Sequence, residues 1–453
     1  MRKLSKGWIE VDIGDALAPL EDGRTIHHGW SPQCKKEPSE SDEVWGVLKT
    51  TAIQPGTFLA EHNKRLPDEL VPRPMLEVRS GDVLITSAGP RARCGVACLV
   101  RGTRPRLMLS GKMYRFRFDD RFVDPRYVEA YLLSETAQRA IDGMKTGISD
   151  SGLNLTHGRF RKLQLPLAPR AEQERIVAAI EEHLSRLDAA DASLAAALRR
   201  LDVSRGQFIE DAMRGEWPST TLGEIAEIAG GVTKDAKRQA DPAFVEVPYL
   251  RVANVQRGYL DLREVTTIRV PAQKAAALRL EVGDVLFNEG GDRDKLGRGW
   301  VWSGEIEDCI HQNHVFRARL HDGFEPKFVS WHGNTFGRDW FERHGRQTTN
   351  LASLNLTTLK SFPVPAPPVE EQRRIVAEVE ERLGSIDALR AAIERAQRRG
   401  AALRRSVLER AFRGKLVSQD PSDEPASVLL DRIRAERAVS KPATGRRRKA
   451  VRP

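Results

Sequence analysis

The sequence is sparing with the residues that most often carry chemistry. Cys34, Cys94, Cys98 and Cys309 are its four cysteines in 453 residues and never fall as CxxC. Neither a disulfide framework nor a cysteine-based zinc site is expected, and Cys94 and Cys98, bordering an apolar run, read as buried thiols. No stretch of about 18 apolar residues occurs, so no membrane-spanning helix is predicted. The basic start MRKLSKGW is not followed by the apolar core of a signal peptide, and the chain reads as cytoplasmic. Catalytic signatures are missing too. There is no NPPF- or NPPY-type methyltransferase tetrapeptide, no FxGxG cofactor loop, no Walker A, no HExxH and no PD…(D/E)xK set. Without a nucleophile beside its base, the chain is expected not to be an enzyme. His311 and His314 stand three apart on a strand-like run and face opposite ways, so they do not form a local metal pair.

Charge is present in excess, at a formal +10, but unevenly. Lys441, Arg446, Arg447, Arg448, Lys449 and Arg452 contribute 6 of it within the last 13 residues, leaving 10 − 6 = +4. A basic tail of this kind is expected to be disordered, and charge permits nucleic-acid binding without establishing it.

What is abundant is repetition. Residues 169–213 and 368–412 match at a shift of 199: Glu172-Gln173-x-Arg175-Ile176-Val177 lies on Glu371-Gln372-x-Arg374-Ile375-Val376, and Arg214-Gly215 on Arg413-Gly414. Val177, Ile180, Leu184, Leu187, Leu194, Leu198, Leu201 and Phe208 follow a 3-4 alternation, the seam of a coiled coil. Proline opens each copy and glycine closes it, so each is predicted to be one long helix. The globular stretches ahead of the helices match more weakly. Trp8…Gly14 aligns with Trp217…Gly223, Gly81-Asp82-Val83-Leu84 with Gly283-Asp284-Val285-Leu286, and Leu153-Asn154-Leu155-Thr156 with Leu354-Asn355-Leu356-Thr357. Between these anchors the halves diverge.

The expected fold class is α+β: two pseudo-repeated α/β domains separated by two long antiparallel coiled-coil helices about a pseudo-two-fold. The expected segments are a first domain (1–168), a first helix (169–215), a second domain (216–367), a second helix (368–414) and a C-terminal segment with a short helix and the basic tail (415–453). Full overlap of 172–212 with 371–411 pairs residues whose numbers sum to 583 or 584 and sets Asp191 beside Arg390, where a seam charge needs a partner.

Local motifs then take their place. GGDRDKLGRG (290–299) combines glycines for close backbone approach with Arg293, Lys295 and Arg298, cations suited to phosphate or guanine edges. Gln312 and Asn313 carry amides able to read adenine.

The helix starts, the LNLT junctions and the runs PYLRVANVQRGYLDL, GDVLFNEGGDRDKLGRG and CIHQNHVFR together resemble the specificity subunit of type I restriction–modification enzymes, over roughly residues 5–440. The resemblance implies two target recognition domains, each reading half of a split, asymmetric double-stranded DNA site. It implies two methyltransferase subunits docked on the helices and carrying S-adenosylmethionine, and a motor-nuclease restriction subunit, where present, using ATP and Mg²⁺. It implies no cofactor for this chain itself. Candidate DNA contacts are Arg251, Asn254, Asn288, Gly290, Gly291, Arg293, Lys295, Arg298, Gln312 and Asn313 in the second domain. In the first they are Arg91, Arg93, Lys112, Tyr114 and Lys145. Candidate docking residues are Glu172, Gln173, Arg175, Ile176, Glu371, Gln372, Arg374 and Ile375. The competing reading is a coiled-coil adaptor with no DNA specificity.

Overall fold

In a computed structural model describing residues 4–291, 295–347 and 352–440, the chain forms two compact units. One contains the chain up to Ser193 and from Ala396 onward; the other is Leu194–Arg395. Each unit therefore takes a globule and a share of both long helices. Arg293 and the basic residues beyond 440 lie outside the described residues.

Each globule is closed by pairing its start with its end. Strand Ile9–Asp12 runs antiparallel to Gln164–Leu167, and Ser219–Thr221 antiparallel to Pro363–Pro365. The main sheet has four strands in both units, all antiparallel. Its order is 27–28, 113–116, 83–86, 97–99 in the first and 226–230, 315–320, 285–288, 299–301 in the second. A three-stranded sheet accompanies each: Gly46–Leu48 runs antiparallel to Asn63–Arg65 and parallel to Leu107–Met108. In the second unit Val245–Leu250 stands in the same relation to Thr266–Val270 and Ile310–His311. The frame is thus repeated strand by strand.

The shared GDVL run locks the turn into the central strand. Gly81 and Gly283 adopt φ of +86° and +96°, which glycine alone enters without strain. Asp82 and Asp284 follow, essentially inaccessible, and accept backbone N–H groups of Arg79 and Glu281, both at 2.7 Å. Each also pairs with an arginine in or directly after the neighbouring strand, Arg117 at 2.5 Å and Arg319 at 2.9 Å. A buried carboxylate is tolerated here because it is paired and hydrogen-bonded. Burial still pushes the Asp82 carboxyl above its usual range, against the pull of Arg115.

The long helices are Arg170–Ala212 and Val369–Ala411, 43 residues each. Their first three turns belong to their own globules: Ile176, Val177 and Ile180 enter the core of the first unit, and Ile375, Val376 and Val379 that of the second. The last turn of the other helix joins the same cores. Phe412 packs with its ring 5.1 Å from those of Tyr127 and Tyr131, while Ile209 and Met213 do so in the second unit. In the first unit, helix Ala426–Ser440 adds Leu429, Leu430 and Ile433 to the core.

The helices run antiparallel within each unit, in a register that differs from the one expected. Arg404 bonds Asp188 at 2.6 Å and Asp191 at 2.9 Å in the first unit; Arg390 pairs with Asp202, and Arg205 with Asp387 at 2.9 Å, in the second. The pairs 188/404, 202/390 and 205/387 each sum to 592. The expected Asp191–Arg390 bridge is therefore replaced by two others. The cause is the burial of the opening turns: residues 170–180 and 369–379 are spent on the globules, so helix–helix pairing begins later than the sequence seam does.

Candidate nucleic-acid interface

Loops that differ in sequence occupy equivalent positions in the two units. After the strand 83–86, Ala88–Gly89 pairs with Leu153–Asn154; after 285–288, Gly290–Gly291 pairs with Ala352–Ser353. In the first unit this arrangement gathers Arg91, Arg93 and Lys145. Lys112 is exposed beside them, its carbonyl accepting the Ser87 N–H at 2.8 Å.

Arg91 is half-exposed and occupied. Its guanidinium bonds Asp142 at 2.6 Å and Asp150 at 3.1 Å, and the bond to Asp150 leads the causes that raise its pKa. Lys145 Nζ donates to Asp142 at 2.8 Å and to the Arg91 carbonyl at 2.9 Å. Arg91 and Lys145 thus carry their own counter-charges, and the Lys145 side chain is only 7% exposed. Ile148, on the same loop as Asp150, is fully exposed.

Several candidate readers prove to be interior residues. Asn254 is 2% exposed; it accepts the Arg251 N–H and donates to the Asp261 and Glu264 carbonyls, all at 2.9 Å. Asn288, 1% exposed, donates to the carbonyls of Val255 at 2.9 Å and Val252 at 3.4 Å. Arg93 turns inward to the carbonyls of Thr50 and Ile53, and Tyr114 is buried in the sheet. Asn254, Asn288 and Tyr114 are buried, which corrects the expectation that they face DNA, whereas Arg93 is partly exposed with its guanidinium bonded to carbonyls. Arg251, Lys295, Arg298, Gln312 and Asn313 remain partly exposed in the second unit, and Arg251 lines a groove with Asp261, Arg263 and Glu264. His311 is buried, whereas His314 is exposed and bonds Glu289 at 2.6 Å, so the two do not share a site. Among the described residues no group of three or more His, Cys, Asp or Glu could hold a metal ion, and no helix is long and apolar enough to cross a membrane.

The shared helix starts also face inward. Gln173, Gln372, Ile176, Ile375 and Glu172 are buried, Glu172 accepting from the Trp8 indole at 3.0 Å. Burial raises the Glu172 pKa. These five fasten each helix to its globule, which corrects their assignment to an exposed docking surface. Arg175 is bonded to Asp423 at 2.6 Å, and Glu371 to Arg374 at 2.8 Å; only these three of the eight keep appreciable exposure.

Sequence reasoning passed over Gln54 and Gln256, Asp142, Asp150 and Ile148. The glutamines carried a usable signal, a separation of 202 that matches Asp82–Asp284; the others carried none, since loop polarity is ordinary.

No protein-family model matches the chain. It is 36% identical to the EcoEI type I restriction enzyme specificity subunit of Escherichia coli over 186 residues, covering 41% of this chain and 30% of that one. It is 25% identical to the StySPI specificity subunit of Salmonella potsdam over 99% of both chains. Among solved structures, a chain from a study of assembly and conformational transition in a type I restriction–modification system superposes with a TM-score of 0.70 at 20% identity, covering 91% of this chain and 99% of that one. The HsdS subunit of Thermoanaerobacter tengcongensis gives 0.60 at 20% identity, covering 91% and 98%. The fold is that of these solved structures, and the curated relatives matched over nearly the whole chain are specificity subunits of type I restriction enzymes.

Proposed function

We propose that the chain reads a bipartite DNA site, one globule per half, and holds methyltransferase subunits on the outer faces of its long helices. The observation that carries this reading is the pairing of equal frames with unequal loops. Identical sheet orders carry the loop after strand 83–86 in one unit and the loop after 285–288 in the other. At a shift of 202 these loops keep Gly89/Gly291, Arg91/Arg293 and Gly95/Gly297 and differ at the positions between. A frame used twice with different loops suits two different half-sites, since bases are read by the side chains that loops carry while phosphate contacts only position. The chain supplies recognition. Methyl transfer from S-adenosylmethionine belongs to the methyltransferase partners, and ATP- and Mg²⁺-dependent cleavage to a restriction subunit.

The test is a domain exchange. Residues 217–366 are replaced by the second domain of another specificity subunit, and methylation is mapped genome-wide with the partners present. One half of the methylated sequence should change and the other stay. Loss of both halves together, or methylation without sequence preference, would return the chain to the adaptor reading.

A further inference from the structure

Gln54 and Gln256 occupy one position of the repeated frame. They lie in the hairpins 53–58 and 255–260, which turn at Gly56 and Gly258, both in the left-handed region. Each side-chain Nε2 donates to the carbonyl three residues back, Thr51 or Ala253, at 2.8 Å. Each Oε1 accepts from an arginine of the neighbouring loop: Arg93 Nη1 at 3.2 Å, Arg298 Nη1 at 3.1 Å. Both amides are thereby held in a single orientation.

The arginines do not come from the same place. Strand pairing and backbone bonds align Thr86 with Asn288 and Val96 with Arg298, so Arg93 reaches its glutamine from three residues away in the frame. The carbonyls beneath are held by different groups as well. Thr50 and Ile53 accept from Arg93 Nη2 at 2.5 and 2.6 Å, whereas the matching Val252 and Val255 accept from Asn288 Nδ2. Thr86, at the place of Asn288, instead secures the backbone around Arg93: its hydroxyl donates to the Arg93 carbonyl and accepts the Val96 N–H at 3.0 Å.

Enclosed carbonyls need partners in any fold, which accounts for the lower bonds. That need does not account for the glutamine–arginine bond. Both side chains are partly exposed in both units, and water could serve them. Two interiors that otherwise share little have rebuilt one contact from different residues, and the contact ties the hairpin to the loop proposed to meet DNA.

We infer that Gln54–Arg93 and Gln256–Arg298 are equivalent positioning pairs, each fixing the pose of one recognition loop and so governing one half-site only. The inference rests on the bipartite reading proposed above. It is tested with the full chain assembled with its methyltransferase partners, measuring methylation on duplexes in which each position of either half-site is varied. Gln54→Ala should lower discrimination about tenfold at positions of one half and leave the other unchanged, and Gln256→Ala should do the converse. The unaffected half reports that the variant is folded.

A graft separates positioning from simple support. Thr86→Asn with Arg93→Ala returns partners to the Thr50 and Ile53 carbonyls but leaves Gln54 unpinned, and discrimination should stay low. Adding Val96→Arg, which copies the arrangement of the second unit, should restore it. Full discrimination in the double variant, or equal losses in both halves from either glutamine change, overturns the inference. A wild-type complex that methylates no bipartite sequence would instead overturn the reading beneath it.

Discussion

Gln173 and Gln372, 199 positions apart, make the same three hydrogen bonds. Gln173 Oε1 accepts the Asp124 N–H at 2.9 Å, and its Nε2 donates to the carbonyls of Ala168 at 2.9 Å and Phe122 at 3.2 Å. Gln372 accepts the Glu325 N–H at 2.9 Å and donates to Pro367 at 2.9 Å and Gly323 at 3.1 Å. Asp124 and Glu325 are the N-cap residues of the helices Pro125–Leu133 and Pro326–Thr335. One amide therefore joins the opening of a long helix to the opening of a globular one. Removing it strands a buried N–H and two carbonyls, at a cost of about 1–3 kcal/mol.

Gln173→Ala should accordingly lower the stability of the first unit and Gln372→Ala that of the second, each by that amount. Urea unfolding with hydrogen exchange resolved by segment would measure it. Unchanged stability combined with lost methyltransferase binding would show that the glutamines serve the partner after all.

The acidic partners of Arg91 set a second expectation. Asp142 and Asp150 compete with phosphate for the same guanidinium, and Lys145 is drawn to Asp142 as well. The two Arg91 pairs are exposed and contribute little to stability, about 0–1 kcal/mol. An asparagine at 142 keeps an oxygen to accept from the largely buried Lys145 ammonium. Asp142→Asn and Asp150→Asn should therefore leave the melting temperature nearly unchanged while raising affinity for non-specific DNA and steepening its salt dependence. Binding isotherms at several salt concentrations check this. An unaltered slope in both variants would place Arg91 away from the DNA.

The repeat, the helices, the GDVL turns and the likeness to specificity subunits were legible because each is a pattern in sequence order: a period, a fixed spacing, a glycine at a forced φ. The register of the helices was not. Ile176 and Ile375 look like seam residues, and only tertiary packing commits them to the globules. Side-chain direction was equally hidden. Asn254 and Asn288 have the chemistry of adenine readers, and the same chemistry satisfies carbonyls inside a loop; burial separates the two uses, and composition does not record it. Arg91 and Arg93 make the point within three residues, one exposed and bonded to carboxylates, the other half-buried and bonded to backbone carbonyls.

Acid should weaken the second unit through His311. Its ring is buried, Nδ1 donates to the Val315 carbonyl at 2.6 Å, and burial, aided by Arg317, holds its pKa down to about 4. An unfolded histidine takes its proton near ~6.5. Between those values the unfolded state binds more protons, so stability falls as pH falls through that window and is unaffected above it. The loss should reach roughly 2 kcal/mol at pH 5. His332 of the same unit is also held down to about 4 by burial. His311→Gln should therefore remove about half of the pH dependence of the second unit's unfolding between pH 7 and 5, and the double change with His332→Gln should flatten it. A variant with the wild-type slope would assign the acid sensitivity elsewhere.

The length of the helices should set the gap between half-sites. In the observed register, position 198 faces 394, so insertions after Leu194 and after Ile393 fall within a few residues of each other across the helix pair. The pairs 188/404, 202/390 and 205/387 stand outside that segment, and equal insertions leave all three in register. One heptad in each helix preserves the apolar alternation, being nearly two turns. It adds ~10.5 Å of helix, which at ~3.4 Å per base pair corresponds to about 3 bp. Three base pairs of a turn of about 10.5 bp rotate the far groove by roughly 100°, so recognition must absorb that twist. The double insertion is expected to methylate sites with a longer gap, more weakly than wild type, with both half-sequences unchanged. A four-residue insertion breaks the alternation yet demands less rotation, and should give a smaller change of gap. Genome-wide methylation mapping distinguishes these outcomes. A folded, active heptad variant that still reads the original gap would mean that the helices carry partners without measuring DNA.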